Sequence, residues 1–582
     1  MMLRCIVMLC LLLWPLLGLQ PACARETGVE RHVRHFVVEP NGAYLLTVEQ
    51  TSTITERDAL HEHARYDIAY NQSLEEIIAV EAHTEKADGR RLAVQQHQIR
   101  DQQQAASVDA PMFQAIRLKT VAFPDADVGD RVVVRYIVRR HTPLFPGHFE
   151  DLSSARGQRQ RDFRLVYDMP AAMLLHADAA GFTATTVTDL PAPAAGKRRY
   201  AWHDLDGDNA RIEAGSVSEL DYGKRLAVST FADYAALARA YQHRAGALAL
   251  PDDAVAALTT RVAGDVVETN ARAIALSDWV RRNVRYVAVY LGPGGVVPHA
   301  AASVLANRYG DAKDHATLLV ALLASAGIDS TVALVNNGNA YQLPAVPTLG
   351  VLNHAIVYVP SLQLYLDPTA ENVAGGFLPA ALLGKPAVLA RSGEFAMLPF
   401  FQQAHSRTLT QFTIQPDGSS RVTVTRTGSG ALAEPYRHVP GGDVALSSRG
   451  ASNGFTKLHG PARLATTYDL RGNLGEAIFA FTQEPERRQD FVCPAIDAED
   501  EVRFHLPTRS RVLALPRAVD VDDANFAYHS RYAQRGALVT VQRQLKFRHT
   551  AATCTPDDYR RMRPALKRML RDLHSQIVFK RS

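Results

Sequence analysis

The sequence predicts a multidomain α+β protein, with strand-rich segments at both ends and a helix-rich core between them. Three observations carry that prediction. Residues 25–229 are dominated by short runs of β-formers separated by turn signals. Near Phe231 the apolar period changes to that of helices, and a capped helix opens at Asp311. From about residue 406 the strand patterns return, and the chain closes on a helix with Pro556 at its first position. A length of 582 residues allows several domains, each able to bury a core. Hydrophobic content of 47% and charged content of 21% mark globular structure. The net charge of +4 is too even to point to nucleic acid as the partner.

Taken in order, residues 1–24 have the pattern of a cleavable export signal. Arg4 supplies the positive start, residues 5–19 the apolar run, and Ala22-Cys23-Ala24 a small-x-small cleavage site. Pro15 interrupts the run, which is short for a permanent span. An uncleaved anchor is the alternative; lipidation of Cys23 is disfavoured by Gln20, where an aliphatic residue is usual. No later stretch has the unbroken apolar length of a membrane helix, so the expectation is a periplasmic or secreted chain without a transmembrane segment. Cleavage leaves two cysteines, Cys493 and Cys554. They either pair, closing a loop worth about 4 kcal/mol in the chain-entropy model, or remain separate buried thiols.

In the first strand-rich segment, strands are expected at 36–38, 43–53, 77–84, 131–139 and 163–167. Pro40-Asn41-Gly42, Asp88-Gly89 and residues 127–130 supply the turns, and the whole suggests a β-sandwich-like domain. Arg31-His32-Val33-Arg34-His35 is expected to be an exposed strand or tail. His61-Glu62-His63 lacks the i, i+4 spacing of a zinc helix and is expected to be a solvated polar segment.

Beyond Phe231, helices are expected at 234–249, 253–267 and 271–286, followed by a Gly/Pro loop at 291–298 with no Gly-Lys-Ser/Thr after it. Asp311 and Asp314 form an acidic capping arrangement, Leu318, Leu319, Leu322 and Leu323 an apolar face, and Gly327 the C-terminal glycine of the central helix. Position 312 lies at the positive end of that helix, where a thiol ionises most easily, and it is alanine. Strands at 330–335, 354–359 and 362–366 follow, the last leading into Asp367-Pro368-Thr369. Residues 336–350, polar and rich in Gly and Pro, are expected to be mobile and to border a groove. In the last segment, strands at 409–414 and 421–425 flank Pro416-Asp417-Gly418, and strands at 526–532 and 538–547 flank Gly536. Met562, Leu566, Met569, Leu570 and Leu573 give the terminal helix an apolar face suited to docking on the β domain.

Arg308-Tyr309-Gly310-Asp311-Ala312-Lys313-Asp314-His315 resembles the Gly-Asp-Cys-Lys-Asp nucleophile motif of bacterial transglutaminase-like proteins, with alanine in place of the cysteine. The resemblance covers residues 231–378 and implies a papain-like α+β core. It also implies the chain order nucleophile, base, orienter, which falls on Ala312 as a position, on His354 and on Asp367. More loosely, residues 25–229 resemble the β-rich domain of unknown function that precedes such cores in Gram-negative envelope proteins. Ala87-Asp88-Gly89-Arg90, Phe123-Pro124 and Gly129-Asp130 before a β run ending near Tyr136 carry that likeness. The expected division is 1–24 signal peptide, 25–229 β-sandwich-like domain, 230–400 core, and 401–582 β domain with terminal helix.

Alanine has no nucleophilic atom, so covalent catalysis of the family type fails at its first step. No neighbour replaces it by pattern: Asp311 is taken as the cap, Lys313, Asp314 and Thr317 point elsewhere round the helix, no motif places Ser303, and His315 has the character of a structural histidine. The leading expectation is a non-catalytic, exported protein that binds a peptide or envelope protein and uses no cofactor or metal. Two others stand beside it: a residual hydrolase or acyltransferase using water with His354 and Asp367, and a purely structural spacer between two β domains.

Overall fold

A computed structural model describes residues 28–103, 115–154, 160–205, 207, 211–287, 295–416, 419–434, 446–450, 461–467, 474–493 and 495–581. The expected signal peptide with Cys23, the first half of the Gly/Pro loop and the tip of the Pro416-Asp417-Gly418 turn lie outside these residues.

The N-terminal part is built on an eight-stranded sheet in the order Thr183–Ala184, Lys197–Leu205, Asp162–Pro170, Gly28–Val38, Tyr44–Thr53, Arg131–Arg140, Glu75–Glu85, Arg91–Ala93. Two three-stranded sheets accompany it. The basic run 31–35 is a strand, but neither an exposed one nor a tail. It lies mid-sheet, parallel to Asp162–Pro170 on one side and antiparallel to Tyr44–Thr53 on the other. Its apolar residues decide this, since Val29, Val33, Phe36 and Val38 are buried, while its charges are absorbed locally. Arg34 pairs with Asp151 at 3.1 Å and His35 with Asp168 at 2.9 Å. His32 stacks on Phe163, and burial, with Arg34 nearby, pushes its pKa down to about 4. His61-Glu62-His63 forms the last turn of a short helix, Arg57–His63. His61 and His63 border a cavity of about 480 Å³ with Gln50, Arg65 and Tyr66.

The core opens with helices Tyr234–Ala245, Asp253–Ala263 and Thr269–Asn283, whose N-termini are capped by the side chains of Asp233, Asp252 and Glu268. The second ends four residues short of expectation, at Gly264, the poorest helix former after proline. A short helix, Ala301–Asn307, leads to the central helix Ala312–Ser325. The central helix and helix Tyr234–Ala245 pack on a five-stranded antiparallel sheet in the order Leu364–Leu366, His354–Val359, Thr331–Val335, Pro386–Leu389, Phe395–Met397, and the other helices pack on the central one. Strand alternation splits this sheet cleanly. Val332, Leu334, Ala355 and Val357 pack with the helices, whereas Ala333, Val335 and Ile356 pack with Leu378, Leu382 and Leu389.

Residues 336–350 differ from expectation: they are docked, not mobile. Val346, Thr348 and Leu349 are buried, and the backbone is held by carboxylates of the preceding domain. Asp221 accepts from the N–H groups of Tyr341 and Gln342 at 2.8 and 3.0 Å, Asp178 from Ala345 at 2.9 Å, and Glu150 from Leu349 at 3.2 Å. The polar composition reflects a backbone that finds its hydrogen bonds across a domain junction instead of in water.

The C-terminal part has a seven-stranded sheet in the order Leu446–Gly450, Ser420–Gly430, Ala404–Ile414, Asp497–His505, Leu538–Phe547, Phe526–Arg535, Asp520–Asp522. Helix Pro556–Leu573 buries Tyr559, Met562, Leu566, Met569 and Leu573 in one cluster with Phe526, Tyr528 and Leu545, which is the expected docking. The described chain does not close on that helix. Gln576–Arg581 continues as a strand between Ala462–Ala465 and Ser510–Ala514. Cys493 and Cys554 form a disulfide, with Cα atoms 5.6 Å apart. Among the described residues, no helix is long and apolar enough to cross a membrane.

Candidate active site

The central helix begins as its capping residues dictate. Asp311 Oδ1 accepts from Asp314 N at 3.2 Å, and Asp314 Oδ2 accepts from Asp311 N at 3.2 Å, so both ends of the capping box are closed. Gly310 precedes it for a steric reason: a Cβ there would lie 2.6 Å from Asp314 Cβ. The helix ends in a glycine turn, with Gly327 at φ +73° and Ile328 N donating to Leu323 O at 2.8 Å. Ala312 is the first residue of the helix and is buried.

Charge is concentrated around this start. The Lys313 ammonium makes a buried ion pair with Asp311. Burial pushes the Asp311 carboxyl above its ordinary range, against the opposing pull of Lys313. For Asp314, burial also works upward, but hydrogen bonds from His299 and the charge of Lys313 outweigh it and hold the carboxyl low. His299 N donates to Asp314 Oδ1 at 2.7 Å, and His299 Nδ1 lies 3.1 Å from Asp314 Oδ2, which raises the imidazole pKa. This His299–Asp314 pair escaped the sequence reading, because the chain between 299 and 314 gives no motif that joins them. His315, fully buried, is held between the carbonyls of Asp311 at 2.8 Å and Val284 at 3.0 Å, a structural placement. Tyr241 is a second unforeseen neighbour. Its buried hydroxyl has no hydrogen-bond partner among the described residues, and burial together with the Asp311 and Asp314 charges raises its pKa.

His354 and Asp367 meet because of strand register. His354 opens its strand opposite Val335, and the pairing of Val357 with Leu366 carries Asp367 alongside Ile356, on the same sheet face as His354. His354 Nε2–H donates to Asp367 Oδ2 at 3.1 Å, and both side chains are buried. Thr369 completes the carboxylate's shell, donating to Oδ1 from its N–H at 2.9 Å and from its hydroxyl at 2.7 Å. Burial alone would raise the Asp367 pKa; His354 and these Thr369 bonds overcome it and hold the group ionised below its usual range. The central helix packs on the strand that begins with His354. Chemically, such a pair orients an imidazole and stabilises it when protonated, while the helix start favours a negative atom. With alanine at 312, no side chain at that position supplies one. Among the described residues, one group of side chains with metal-ligand chemistry lies within mutual reach, Cys493, His549 and Cys554 in the C-terminal part.

The chain matches the model of the transglutaminase-like superfamily over residues 254–360. It also matches two domains of unknown function, DUF3857 over residues 40–206 and DUF3858 over residues 468–579. It is similar over 96% of its length to the whole of a crystal structure described as a "putative protease" from Parabacteroides distasonis, with a TM-score of 0.74 and 14% identity, a likeness of fold. An M1 zinc metallopeptidase from Deinococcus radiodurans matches over 35% of this chain and 42% of its own, at 18% identity and a TM-score of 0.20. A "putative cysteine protease" from Cytophaga hutchinsonii matches over 59% of this chain and 78% of its own, at 10% identity and a TM-score of 0.17. At those scores neither carries an argument. No curated protein gives a significant match in sequence. Architecture and comparisons converge: the protein is a transglutaminase-like core flanked by a DUF3857 and a DUF3858 domain.

Proposed function

We propose that this is an exported, non-catalytic member of the transglutaminase-like fold that holds a peptide or protein segment in the cell envelope without turning it over. Its parts are residues 25–229, 230–400 and 401–582. The observation that carries the reading is Ala312 at the first position of a fully capped helix, combined with an intact His354–Asp367 pair. In an active relative of this fold the residue at 312 is the nucleophile, His354 the base and Asp367 its orienter. Removing the nucleophile while keeping the imidazole, its carboxylate and the helix start leaves a place for a polarised carbonyl and no route to an acyl-enzyme. The ligand class that follows is an extended peptide presenting an acyl group.

The test is Ala312→Cys, with the new thiol alkylated across a pH series and the chain carrying Cys493 and Cys554 alone as the background. A competent site gives a thiol that reacts at neutral pH at least tenfold faster than an ordinary cysteine, and His354→Ala in the same background slows it. A thiol of ordinary reactivity removes the intact-site reading. Peptide turnover by the unaltered protein, lost with His354→Ala, overturns the non-catalytic one.

A further inference from the structure

We propose that Cys493, Cys554 and His549 form a redox-gated site for a soft monovalent metal, Cu(I), closed while the disulfide is intact and opened when a dithiol reduces it. The two sulfurs and a ring nitrogen of His549 all lie within 4.8 Å of one another. The proposal is independent of any activity at Ala312.

Three features make this more than a disulfide with a histidine nearby. The first is that the backbone, not the covalent bond alone, holds the cysteines together. Phe491–Val492 pairs antiparallel with Thr553–Cys554, Cys493 N donates to Ala552 O at 2.8 Å, and Val492 N donates to Gly215 O at 3.0 Å. Reduction therefore leaves two thiols at nearly the same Cα separation, now 5.6 Å, already gathered as chelating ligands. The second feature is the outer shell of the imidazole. With Nε2 as the metal ligand, Nδ1–H donates to Ala551 O at 3.2 Å, while Asp558 Oδ2, 3.9 Å from Nε2, is beyond hydrogen-bond reach. The ring is further fixed by stacking on Phe547.

The third feature selects the metal. The donor set is two sulfurs and one nitrogen. The nearby carboxylate oxygen, Asp558 Oδ2, is committed as helix cap, accepting from Thr555 N and Thr555 Oγ1 at 2.8 Å each. Two soft thiolates with one imidazole suit Cu(I), which accepts trigonal thiolate–imidazole coordination; Zn(II) asks for a fourth ligand. Cys554 is fully buried and Cys493 nearly so. Cys493 also borders a cavity of about 340 Å³ lined by Tyr341, Phe400 and Ala552, a path for a small dithiol.

The step balances. The dithiol gives two electrons and two protons to the Cys493–Cys554 bond and becomes a disulfide itself. The resulting two thiols then lose two protons as Cu(I) binds both sulfurs and the imidazole. A small-molecule disulfide then takes the two electrons by thiol–disulfide exchange: the Cys493–Cys554 bond reforms, the small disulfide leaves as two thiolates, and Cu(I) is released.

The experiment uses purified protein, reduced with dithiothreitol, desalted without oxygen and titrated with Cu(I) against a chromophoric bidentate chelator. One Cu(I) per chain should be withdrawn from the chelator by reduced protein and none by oxidised protein. His549→Ala should weaken the competition at least tenfold, and Cys493→Ser/Cys554→Ser should abolish it. Near-ultraviolet circular dichroism of each variant shows that the fold is retained. Equal competition by reduced protein and the His549→Ala variant overturns the three-ligand site. A parallel titration with Zn(II) that saturates one site while Cu(I) fails to compete overturns the choice of metal.

Discussion

Replacing His354 with alanine isolates what keeps Asp367 ionised in a buried setting. The carboxylate loses its Oδ2 donor but keeps both Thr369 bonds to Oδ1. Breaking a buried charge pair costs about 3–5 kcal/mol when nothing compensates, and the retained Thr369 donors place this case at the lower end, about 2–4 kcal/mol. Protonation sets a ceiling. The carboxyl escapes the unpaired state by taking a proton, which at pH 7 costs about 1.4 kcal/mol per pH unit above an unfolded pKa near 3.9, or about 4 kcal/mol.

The sign of the pH dependence distinguishes the two proteins. In the unaltered chain the folded pKa of Asp367 is lowered, so its contribution is present above the unfolded value and is lost as pH falls through the folded one. In the variant the shift reverses, and stability is regained as pH falls from 7 toward 4. The gap between variant and unaltered protein therefore narrows on going from pH 7 to pH 5. Urea unfolding followed by the fluorescence of Trp279, whose ring packs on the core cluster, measures it, with Trp202 reporting the N-terminal part separately. The double variant His354→Ala/Asp367→Ala should lose less than the sum of the single losses, because no buried charge is left unpaired. A single-variant loss below about 1 kcal/mol, or a gap that stays constant between pH 7 and pH 5, refutes the reasoning.

Two further outcomes follow from buried groups elsewhere. Lys385, fully buried, is bonded to the carbonyls of Asn336 and Gly338, and burial pushes its pKa down to about 8. Between pH 8 and pH 9.5 the unfolded chain holds this proton and the folded one releases it, so stability rises with pH, by at most about 2 kcal/mol. Lys385→Met should lose that rise when urea midpoints are compared at the two pH values, and an unchanged rise assigns it to other groups. Cys493→Ala/Cys554→Ala removes a link across 61 residues of sequence and should lower stability by about 4 kcal/mol in the same assay, with a loss under about 1 kcal/mol contradicting the loop-entropy account.

Much of the candidate site's local structure was legible because its parts are local. The cap at Asp311, the box closed by Asp314 and the glycine turn at Gly327 are properties of fifteen or so consecutive residues, and local hydrogen bonding decides them. His354 and Asp367 were legible by order along the chain, which a resemblance supplied. What stayed hidden depends on contacts between distant segments. The His299–Asp314 pair, the Tyr241 hydroxyl and the third member of the Cys493–His549–Cys554 group carry no common spacing. The basic run at 31–35 lies inside a sheet for the same kind of reason: Arg34 and His35 find partners in Asp151 and Asp168, more than a hundred residues away.

By itself, then, the sequence determined that the core helices form and how the central one is capped, which face of each strand is apolar, and that position 312 offers no nucleophile. Those are decided within a turn of helix or a few residues of strand, where capping and alternation operate. Only the tertiary structure decided that residues 336–350 are clamped by Asp178, Asp221 and Glu150, that Cys493 and Cys554 are joined, and that the chain returns after its terminal helix to pair as Gln576–Arg581. The physical reason is common to all three. Backbone donors and acceptors in loops and short strands are satisfied by whatever the fold brings beside them, and no local pattern encodes that neighbour.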